Sequence, residues 1–143
     1  MTDIVLQRSA DWLSGAGLRP TRQRMTLASL LVGDGQDRHV TAESLFDAAK
    51  DADEKVSLAT VYNTLRAFCD VGLMREITVD GSKSYFDTNT SDHHHFYDED
   101  THELIDCDQN DIDSINIKNN ITGKKINSVE VLIKVASDNQ NQN

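Results

Sequence analysis

The chain has 143 residues, a formal net charge of −10 and 38% hydrophobic residues. This length suits one domain or two small domains with a hydrophobic core, and no apolar run is long enough to predict a transmembrane helix. The two cysteines lie far apart and form no C-x-x-C pair, which argues against a disulfide scaffold. A reduced, cytoplasmic setting is therefore expected.

The negative charge belongs mainly to the second half of the chain. Residues 1–75 contain nine Lys and Arg against ten Asp and Glu, a net charge of −1. Residues 76–143 contain five against fourteen, a net charge of −9, and the two halves add up to the total of −10. A nearly neutral first half can still carry a basic face, so the composition does not exclude a nucleic-acid partner.

The first half predicts four short helices, because apolar residues recur at helical spacing between capping residues and glycines. In chain order the predicted helices cover residues 4–16, 21–32, 42–50 and 57–73. Thr41 and Ser57 are suitable N-caps for the third and fourth helices. In the fourth helix, apolar residues recur from Leu58 to Phe68 at spacings of three and four, which indicates an amphipathic stripe.

After the fourth helix the sequence changes to short strands. Two segments rich in β-forming residues flank Asp80-Gly81, a strong signal for a hairpin turn. Helices followed by a hairpin have the layout of a winged helix-turn-helix. Further along the chain we predict a helix over residues 110–120, a strand over 129–135 and a disordered polar tail over 138–143.

The fourth predicted helix has a polar face that suits the major groove of DNA. Short polar side chains and an aromatic ring match base edges and thymine methyl groups, and arginines near the second helix can bind phosphates. Ordinary exposed helix residues would give the same pattern, but the helix order and the hairpin favour DNA binding. The predicted DNA-binding residues are Arg19, Arg22, Arg24, Ser57, Thr60, Tyr62, Asn63 and Arg66.

The stretch from Ser91 to Cys107 contains four of the five histidines among six acidic residues. In an extended segment His93 and His95 point the same way and His94 points the other way. Such a pair with remote carboxylates can bind Zn²⁺, Fe²⁺ or Mn²⁺, which leaves His94 for a second role. A solvated loop and a metal-dependent hydrolase are the alternatives, and the hydrolase is less favoured because no general base is in place.

Four segments make the chain resemble the ferric uptake regulator family. They read "GLRPTRQRMTLASLL", "RHVTAESLF", "VSLATVYNTLRAFCDVGLMRE" and "HHHFYDED". The resemblance is closest to the haem-responsive branch of that family, the iron response regulators (Irr) of α-proteobacteria. It implies an α+β fold, with an N-terminal winged helix-turn-helix domain over residues 1–88 and a small C-terminal α/β dimerisation domain over 89–137 that senses metal or haem.

The resemblance also implies ligand sets, carried over by position. The interdomain regulatory metal site falls on His39, Asp87, His93, His95 and Asp106. A second metal site falls on Asp92, His94 and Asp113, with Val129 near the fourth position, where valine cannot bind a metal. The family's frequent C-x-x-C zinc site is excluded, because Asp98 and Thr101 stand in its place.

The haem-responsive branch implies haem binding by the three consecutive histidines, His93, His94 and His95. In the family, the tyrosine that matches Tyr62 contacts thymines and the basic residue that matches Arg19 reaches the minor groove. The expected partners are therefore a second copy of the chain and double-stranded DNA with an AT-rich inverted repeat, and no membrane.

Together these observations predict a dimeric transcriptional regulator of iron and haem homeostasis, and not an enzyme. Ligand at the histidine-rich site would change the affinity for operator DNA. A regulator on the same scaffold that senses manganese, zinc or peroxide is the alternative. In the case of peroxide, metal-catalysed oxidation of a ligand histidine at the His39 and His93 site would report the signal.

Overall fold

The structure, a computed structural model, describes residues 2–81, 83–108 and 110–138. The chain divides into two compact units, Met1–Thr90 and Ser91–Asn143. Four helices and one three-stranded sheet form the first unit, and a second three-stranded sheet forms the other. The predicted α+β class is confirmed. Except for Asp138, the predicted disordered tail lies outside the described residues.

Four helices account for most of the first unit, and each begins after a hydroxyl residue. The helices are α1 Asp3–Gly15, α2 Arg22–Val32, α3 Ala42–Asp51 and α4 Leu58–Asp70. At each start, the side chain of a Thr or Ser N-cap accepts a hydrogen bond from a backbone N–H of the first turn. No described helix has the length and apolar character needed to cross a membrane.

The fourth helix ends at Asp70, and Gly72 followed by Leu73 forms the glycine C-cap that this dipeptide predicts. Gly72 takes a φ of +79°, and the N–H of Leu73 donates to the carbonyl of Phe68 over 2.9 Å. This reversal satisfies carbonyl groups at the helix end and stops the helix. Leu73 then packs against the core, which is the hydrophobic contact that accompanies a glycine C-cap.

The apolar stripe of α4 packs into the core of the first unit. Val61, Leu65 and Phe68 are fully buried, and the ring of Trp12 meets that of Phe68 edge-on at 5.1 Å between centroids. Burial of one such side chain contributes about 1.5–3 kcal/mol. The stripe therefore fixes which face of α4 turns inward and leaves the opposite, polar face exposed.

A small antiparallel sheet follows the helices of the first unit. Its strands are β1 His39–Val40, β2 Arg75–Asp80 and β3 Lys83–Asp87, in the order β1-β3-β2. The predicted hairpin joins β2 to β3 and is confirmed. In the register of β1 and β3, His39 lies opposite Asp87 and Val40 lies opposite Phe86.

The second unit is a sheet whose strands are β4 His94–Asp98, β5 Glu103–Cys107 and β6 Leu132–Val135. β4 lies in the middle, antiparallel to β5 and parallel to β6. The second half of the predicted strand over 129–135 is thus confirmed.

The helix predicted over residues 110–120 is wrong, because the described residues of that segment form turns and irregular chain. Isoleucine has a modest helix propensity, and asparagine side chains compete with the helix for backbone hydrogen bonds. The side-chain oxygen of Asn120, for example, accepts from the N–H of Ile121 over 2.8 Å. The segment therefore connects β5 to β6 without regular structure.

Candidate metal centre and nucleic-acid interface

The strand pair β4 and β5 brings two imidazoles and a carboxylate together. His95 lies opposite Asp106 in the antiparallel register, and His93 comes two residues earlier on the same face. Asp106 Oδ1 is 3.3 Å from Nε2 of His93 and 3.4 Å from Nε2 of His95. The two rings lie 4.4 Å apart, so the pattern of alternating side chains predicted their common direction correctly.

A backbone carbonyl sets the orientation of the His93 ring. Nδ1 of His93 lies 2.6 Å from the carbonyl oxygen of Ser91. Because a carbonyl oxygen only accepts hydrogen bonds, Nδ1 carries the proton, and the lone pair of the neutral ring is at Nε2. That lone pair faces the carboxylate of Asp106, an arrangement that requires a positive charge between them, either a proton or a metal cation. An N–H to carbonyl bond of this kind is typical of metal-binding histidines.

The cluster of His93, His95 and Asp106 fits a divalent metal. One ligand atom from each residue lies within 4.8 Å of the others. Both histidine side chains are less than 10% exposed, whereas Asp106 is 50% exposed, so the cluster is lined by protein on one side and open on the other. Nitrogen with carboxylate oxygen suits Zn²⁺, Fe²⁺ or Mn²⁺.

The first unit holds the other two predicted ligands, His39 and Asp87, opposite each other on β1 and β3. Asp87 is 1% exposed, and its Oδ1 accepts a hydrogen bond from the N–H of Asn89 over 2.8 Å. Thr88 extends the pairing of the strands: its hydroxyl accepts from the N–H of Arg38, and its own N–H donates to the Arg38 carbonyl. Sequence reasoning missed this support, because the partners are 50 residues apart and carry no local signal.

The residues of the predicted second metal site line a single cleft of the second unit, about 270 Å³ in volume. Asp92, His94 and Asp113 contribute to this cleft together with Cys107 and Val129. Among the residues that the structure describes, however, Asp92, His94 and Asp113 do not bring one ligand atom each to within 4.8 Å of one another.

The thiol of Cys107 is buried and that of Cys69 is half-buried. Burial raises the pKa of Cys107, and Asp111 and Asp108 raise it further. Burial also raises the pKa of Cys69 to about 11, with smaller contributions from Glu76 and Asp70. A thiol reacts as its thiolate, so both cysteines are poor nucleophiles near pH 7.

A polar groove runs between the start of α2 and the exposed face of α4. Its volume is about 380 Å³, and its walls are Thr21, Gln23, Arg24, Thr60, Asn63, Thr64 and Ala67. Three of the predicted DNA-binding residues therefore share one surface: Arg24, Thr60 and Asn63. Gln23 and Thr64 were missed, although Thr64 follows Thr60 by one helical turn and helical periodicity alone could have identified it.

Several predicted DNA-binding residues also have partners within the protein. The Ser57 hydroxyl accepts from the N–H of Thr60 over 3.1 Å, which makes Ser57 the N-cap of α4. The guanidinium of Arg24 donates to the carbonyl of Arg19, so the side chain of Arg24 is held against the backbone that precedes α2. Arg22 lines a different cleft, next to Asp53, Glu54 and Lys55.

Tyr62 and Arg66 form a pair on the exposed side of α4. Nη2 of Arg66 donates to the Tyr62 hydroxyl over 3.3 Å, and the guanidinium lies 5.2 Å from the centre of the tyrosine ring. This hydrogen bond, with a smaller contribution from Glu76, raises the pKa of Arg66. Beneath the pair, the tyrosine ring meets buried Phe86 edge-on, with 6.2 Å between ring centroids.

A unit that exposes a polar helix face beside a small sheet, and a second unit with a cluster of metal-binding side chains, define a metal-responsive DNA-binding regulator. The chain belongs to the ferric uptake regulator family, whose family model matches residues 15–135. Proteins of this family are dimeric, DNA-binding transcription regulators and not enzymes, so the predicted class of protein is confirmed and the hydrolase alternative is set aside.

The chain is similar to two peroxide-responsive repressors named PerR. With that of Staphylococcus epidermidis it is 34% identical over 113 residues, which cover 79% of this chain and 74% of the relative. With that of Staphylococcus aureus strain Mu50 it is 36% identical over 101 residues, 71% of this chain and 67% of the relative. These relatives are named for peroxide, and they do not support the resemblance to the haem-responsive branch.

The fold is similar to that of the ferric uptake regulator from Pseudomonas aeruginosa with manganese. The TM-score is 0.67 at 26% identity, and the match covers 90% of this chain and 97% of the other.

Proposed function

We propose that the chain is a metal-dependent repressor that releases DNA when peroxide oxidises a ligand histidine. The cluster of His93, His95 and Asp106 carries this proposal, because it presents two imidazoles and one carboxylate to a single position. The peroxide-responsive repressors, which are identical to this chain at about a third of the aligned residues, support the signal. The sequence predicts a sensor of manganese, zinc or peroxide as the alternative to a regulator of iron and haem, and this proposal is the peroxide case of that alternative.

His93 is the histidine best placed to be oxidised. The Ser91 carbonyl holds its ring with Nε2 towards the cluster, and Asp106 offsets the charge of a bound cation. Ferrous iron at this position would supply the electrons that activate peroxide. In the overall reaction, one C–H bond of the ring becomes a C–O bond, the O–O bond of peroxide breaks, and the second oxygen leaves as water with the ring hydrogen. The oxidised ring is a weaker ligand, so metal is lost.

His39 and Asp87 complete the proposed ligand set. Their place in the set comes from the family resemblance, and it is supported by their opposed positions on β1 and β3. Asp87 is a buried carboxylate, and a buried carboxylate is stabilised by a nearby positive charge. With these two residues the set has three imidazoles and two carboxylates, a mixed donor set that fits Fe²⁺ or Mn²⁺.

For DNA we propose that α4 reads the major groove through the polar groove and through Tyr62. Arg24, Thr60 and Asn63 line the groove, and the predicted operator is an AT-rich inverted repeat. An inverted repeat requires a second copy of the chain. Four exposed isoleucines between β5 and β6 are suited to the dimer interface, and they are Ile115, Ile117, Ile121 and Ile126.

The test compares the full chain loaded with Fe²⁺ and with Mn²⁺, each treated with hydrogen peroxide. Mass spectrometry of peptides and operator binding are measured on the same samples. We expect one added oxygen atom on His93 or His39 and loss of DNA binding with Fe²⁺, but neither change with Mn²⁺. The variant His102→Asn is the control and should respond to peroxide like wild type, because His102 is a histidine of the same segment that lies outside the cluster. Peroxide that releases DNA without oxidising a ligand histidine would contradict the proposal.

The response to haem that the sequence predicts is the second proposal, and it is supported by the resemblance alone. Haem does not appear in the names of the relatives described above. Haemin titrated into the Mn²⁺-loaded chain, with operator binding followed in parallel, separates the two signals. DNA release by haemin, together with resistance of the Fe²⁺-loaded protein to peroxide, would replace peroxide sensing by haem sensing.

A further inference from the structure

We infer that the ring of His94 attaches β6 to β4 by accepting a backbone hydrogen bond, and that this ring is not a ligand for a metal ion. The three consecutive histidines are alike in sequence, but the backbone groups around them differ. This inference goes beyond the proposed function, since it assigns a role to the one histidine of the run that lies outside the metal cluster. It does not depend on peroxide being the signal, and it leaves His93 and His95 as the histidines of the run available to haem iron.

Val131, the residue before β6, is held at both of its backbone polar groups by the His94–His95 dipeptide. The N–H of Val131 donates to Nδ1 of His94 over 3.0 Å. The N–H of His95 donates to the Val131 carbonyl over 3.2 Å. The imidazole of His94 thus acts as an acceptor at the first step of the parallel β4–β6 pairing, which then continues from His95 opposite Leu132.

This hydrogen bond fixes the tautomer of His94. A backbone N–H can only donate, so Nδ1 of His94 must carry the lone pair, and the proton of the neutral ring is at Nε2. A metal bound at Nε2 would have to displace this proton, and a metal bound at Nδ1 would have to break the bond to Val131. His93 has the opposite arrangement, because its Nδ1 faces the Ser91 carbonyl. Different backbone partners therefore give two adjacent, identical side chains different tautomers, one suited to metal binding and one to accepting a backbone hydrogen bond.

The same reasoning explains why the second predicted metal site lacks an imidazole ligand. Its acidic residues, Asp92 and Asp113, line the cleft with His94, but the His94 lone pair is already used. Val129 stands at the remaining position and has no ligand atom. In the antiparallel register, His94 lies opposite Cys107 on β5.

The first test is made on the wild-type chain. Nitrogen-15 NMR of the histidine rings assigns the tautomer of each ring, with and without saturating Zn²⁺. We expect His94 to keep its proton on Nε2 in both samples, while the signals of His93 and His95 shift on addition of Zn²⁺. A Zn²⁺-induced change of His94 to a metal-bound nitrogen, or a proton on Nδ1 without metal, would overturn the inference.

Two variants separate the two nitrogens of the ring. In His94→Asn the side-chain oxygen takes the place of Nδ1, whereas in His94→Gln the amide takes the place of Nε2. We expect His94→Asn to keep Zn²⁺ stoichiometry and the hydrogen-exchange protection of the Val131 amide. His94→Gln should also keep the stoichiometry but exchange this amide about tenfold faster. Loss of Zn²⁺ by His94→Asn, or equal protection of the Val131 amide in both variants, would contradict the inferred role of His94. Failure of the peroxide test changes neither expectation.

Discussion

Arg66 and Tyr62 lie one turn apart on α4, and their contact determines what the tyrosine can offer to DNA. The hydroxyl oxygen accepts from Arg66, so its own hydrogen is left to donate outward to a phosphate or base acceptor. Phe86 supports the ring from below. Arg66 is therefore expected to position Tyr62 more than to neutralise a phosphate.

We expect Arg66→Gln to weaken operator binding about fivefold to tenfold, the value of one hydrogen bond. The slope of log K against log salt concentration should stay close to that of wild type, because a lost phosphate contact would reduce it by about 0.9. In the Tyr62→Phe background the loss should nearly disappear. Fluorescence anisotropy at several salt concentrations measures both quantities.

Arg24→Gln is the matched control for this experiment, since Arg24 lines the groove and is expected to contact phosphate. It should reduce the salt slope and weaken binding equally in both backgrounds. If Arg66→Gln behaves like Arg24→Gln, Arg66 is a phosphate contact and not a support for Tyr62.

The thiols lead to a second prediction for single residues. Burial raises the pKa of both cysteines, so near pH 7 they stay protonated and react slowly with peroxide. The double variant Cys69→Ala, Cys107→Ala should therefore keep the full loss of DNA binding on peroxide treatment of the Fe²⁺-loaded protein. Loss of the response in this variant, with metal and DNA binding intact, would assign the sensing to a thiol.

Among the elements, β6 is held at its far end as well as at its start. The Glu99 N–H donates to the Val135 carbonyl, and the Ser137 N–H donates to Asp100 over 2.6 Å. These bonds come from the turn between β4 and β5. The hydrogen bond from Ser137 lowers the pKa of Asp100 below its usual 3.8.

A carboxylate with a lowered pKa in the folded state stabilises the fold above its unfolded pKa and loses this effect as the pH falls through the folded pKa. The attachment of β6 to Asp100 should therefore be present at neutral pH and weaken only below about pH 4. The amide proton shift of Ser137, followed by NMR, should titrate with a midpoint below 3.8. In Asp100→Asn this titration should be absent, and a midpoint above 3.8 in wild type would contradict the expectation.

The helices and the hairpin of the first unit could be predicted because their signals are local. Capping hydroxyls, the stripe on α4 and Asp80-Gly81 all act within a few residues. The helix predicted over residues 110–120 is wrong, and the side chain of Asn120 binds the backbone there instead. The strand over 129–135 was placed correctly but too long, since its start depends on His94, more than 30 residues away.

In the metal centre, alternation along β4 predicted that His93 and His95 share a face. Pairing of His95 with Asp106 and of His39 with Asp87 depends on strand register, which only the family resemblance suggested. The different tautomers of His93 and His94 had no signal in the sequence. Each is set by a backbone group that the fold brings to the ring.

For the whole molecule, the distribution of charge and apolar surface indicates which unit binds DNA and which unit contacts a second chain. The net negative charge is concentrated in the second half of the chain, so DNA is repelled there and steered towards the first unit. The second unit also exposes isoleucines, and Ile117 and Ile121 are 51% and 72% exposed. Exposed apolar side chains in one segment are typical of an interface with another chain.

We therefore expect Ile121→Asp to produce monomers, because a charge at a buried dimer interface is strongly unfavourable. The neighbouring Asn119→Asp introduces the same charge at an exposed polar position and should remain dimeric. Analytical ultracentrifugation measures the oligomeric state, and anisotropy compares DNA with one or two half-sites. Each monomer carries its own α4, so Ile121→Asp should bind a single half-site like wild type and lose only the tighter binding of the inverted repeat. A dimeric Ile121→Asp would place the interface elsewhere in the second unit.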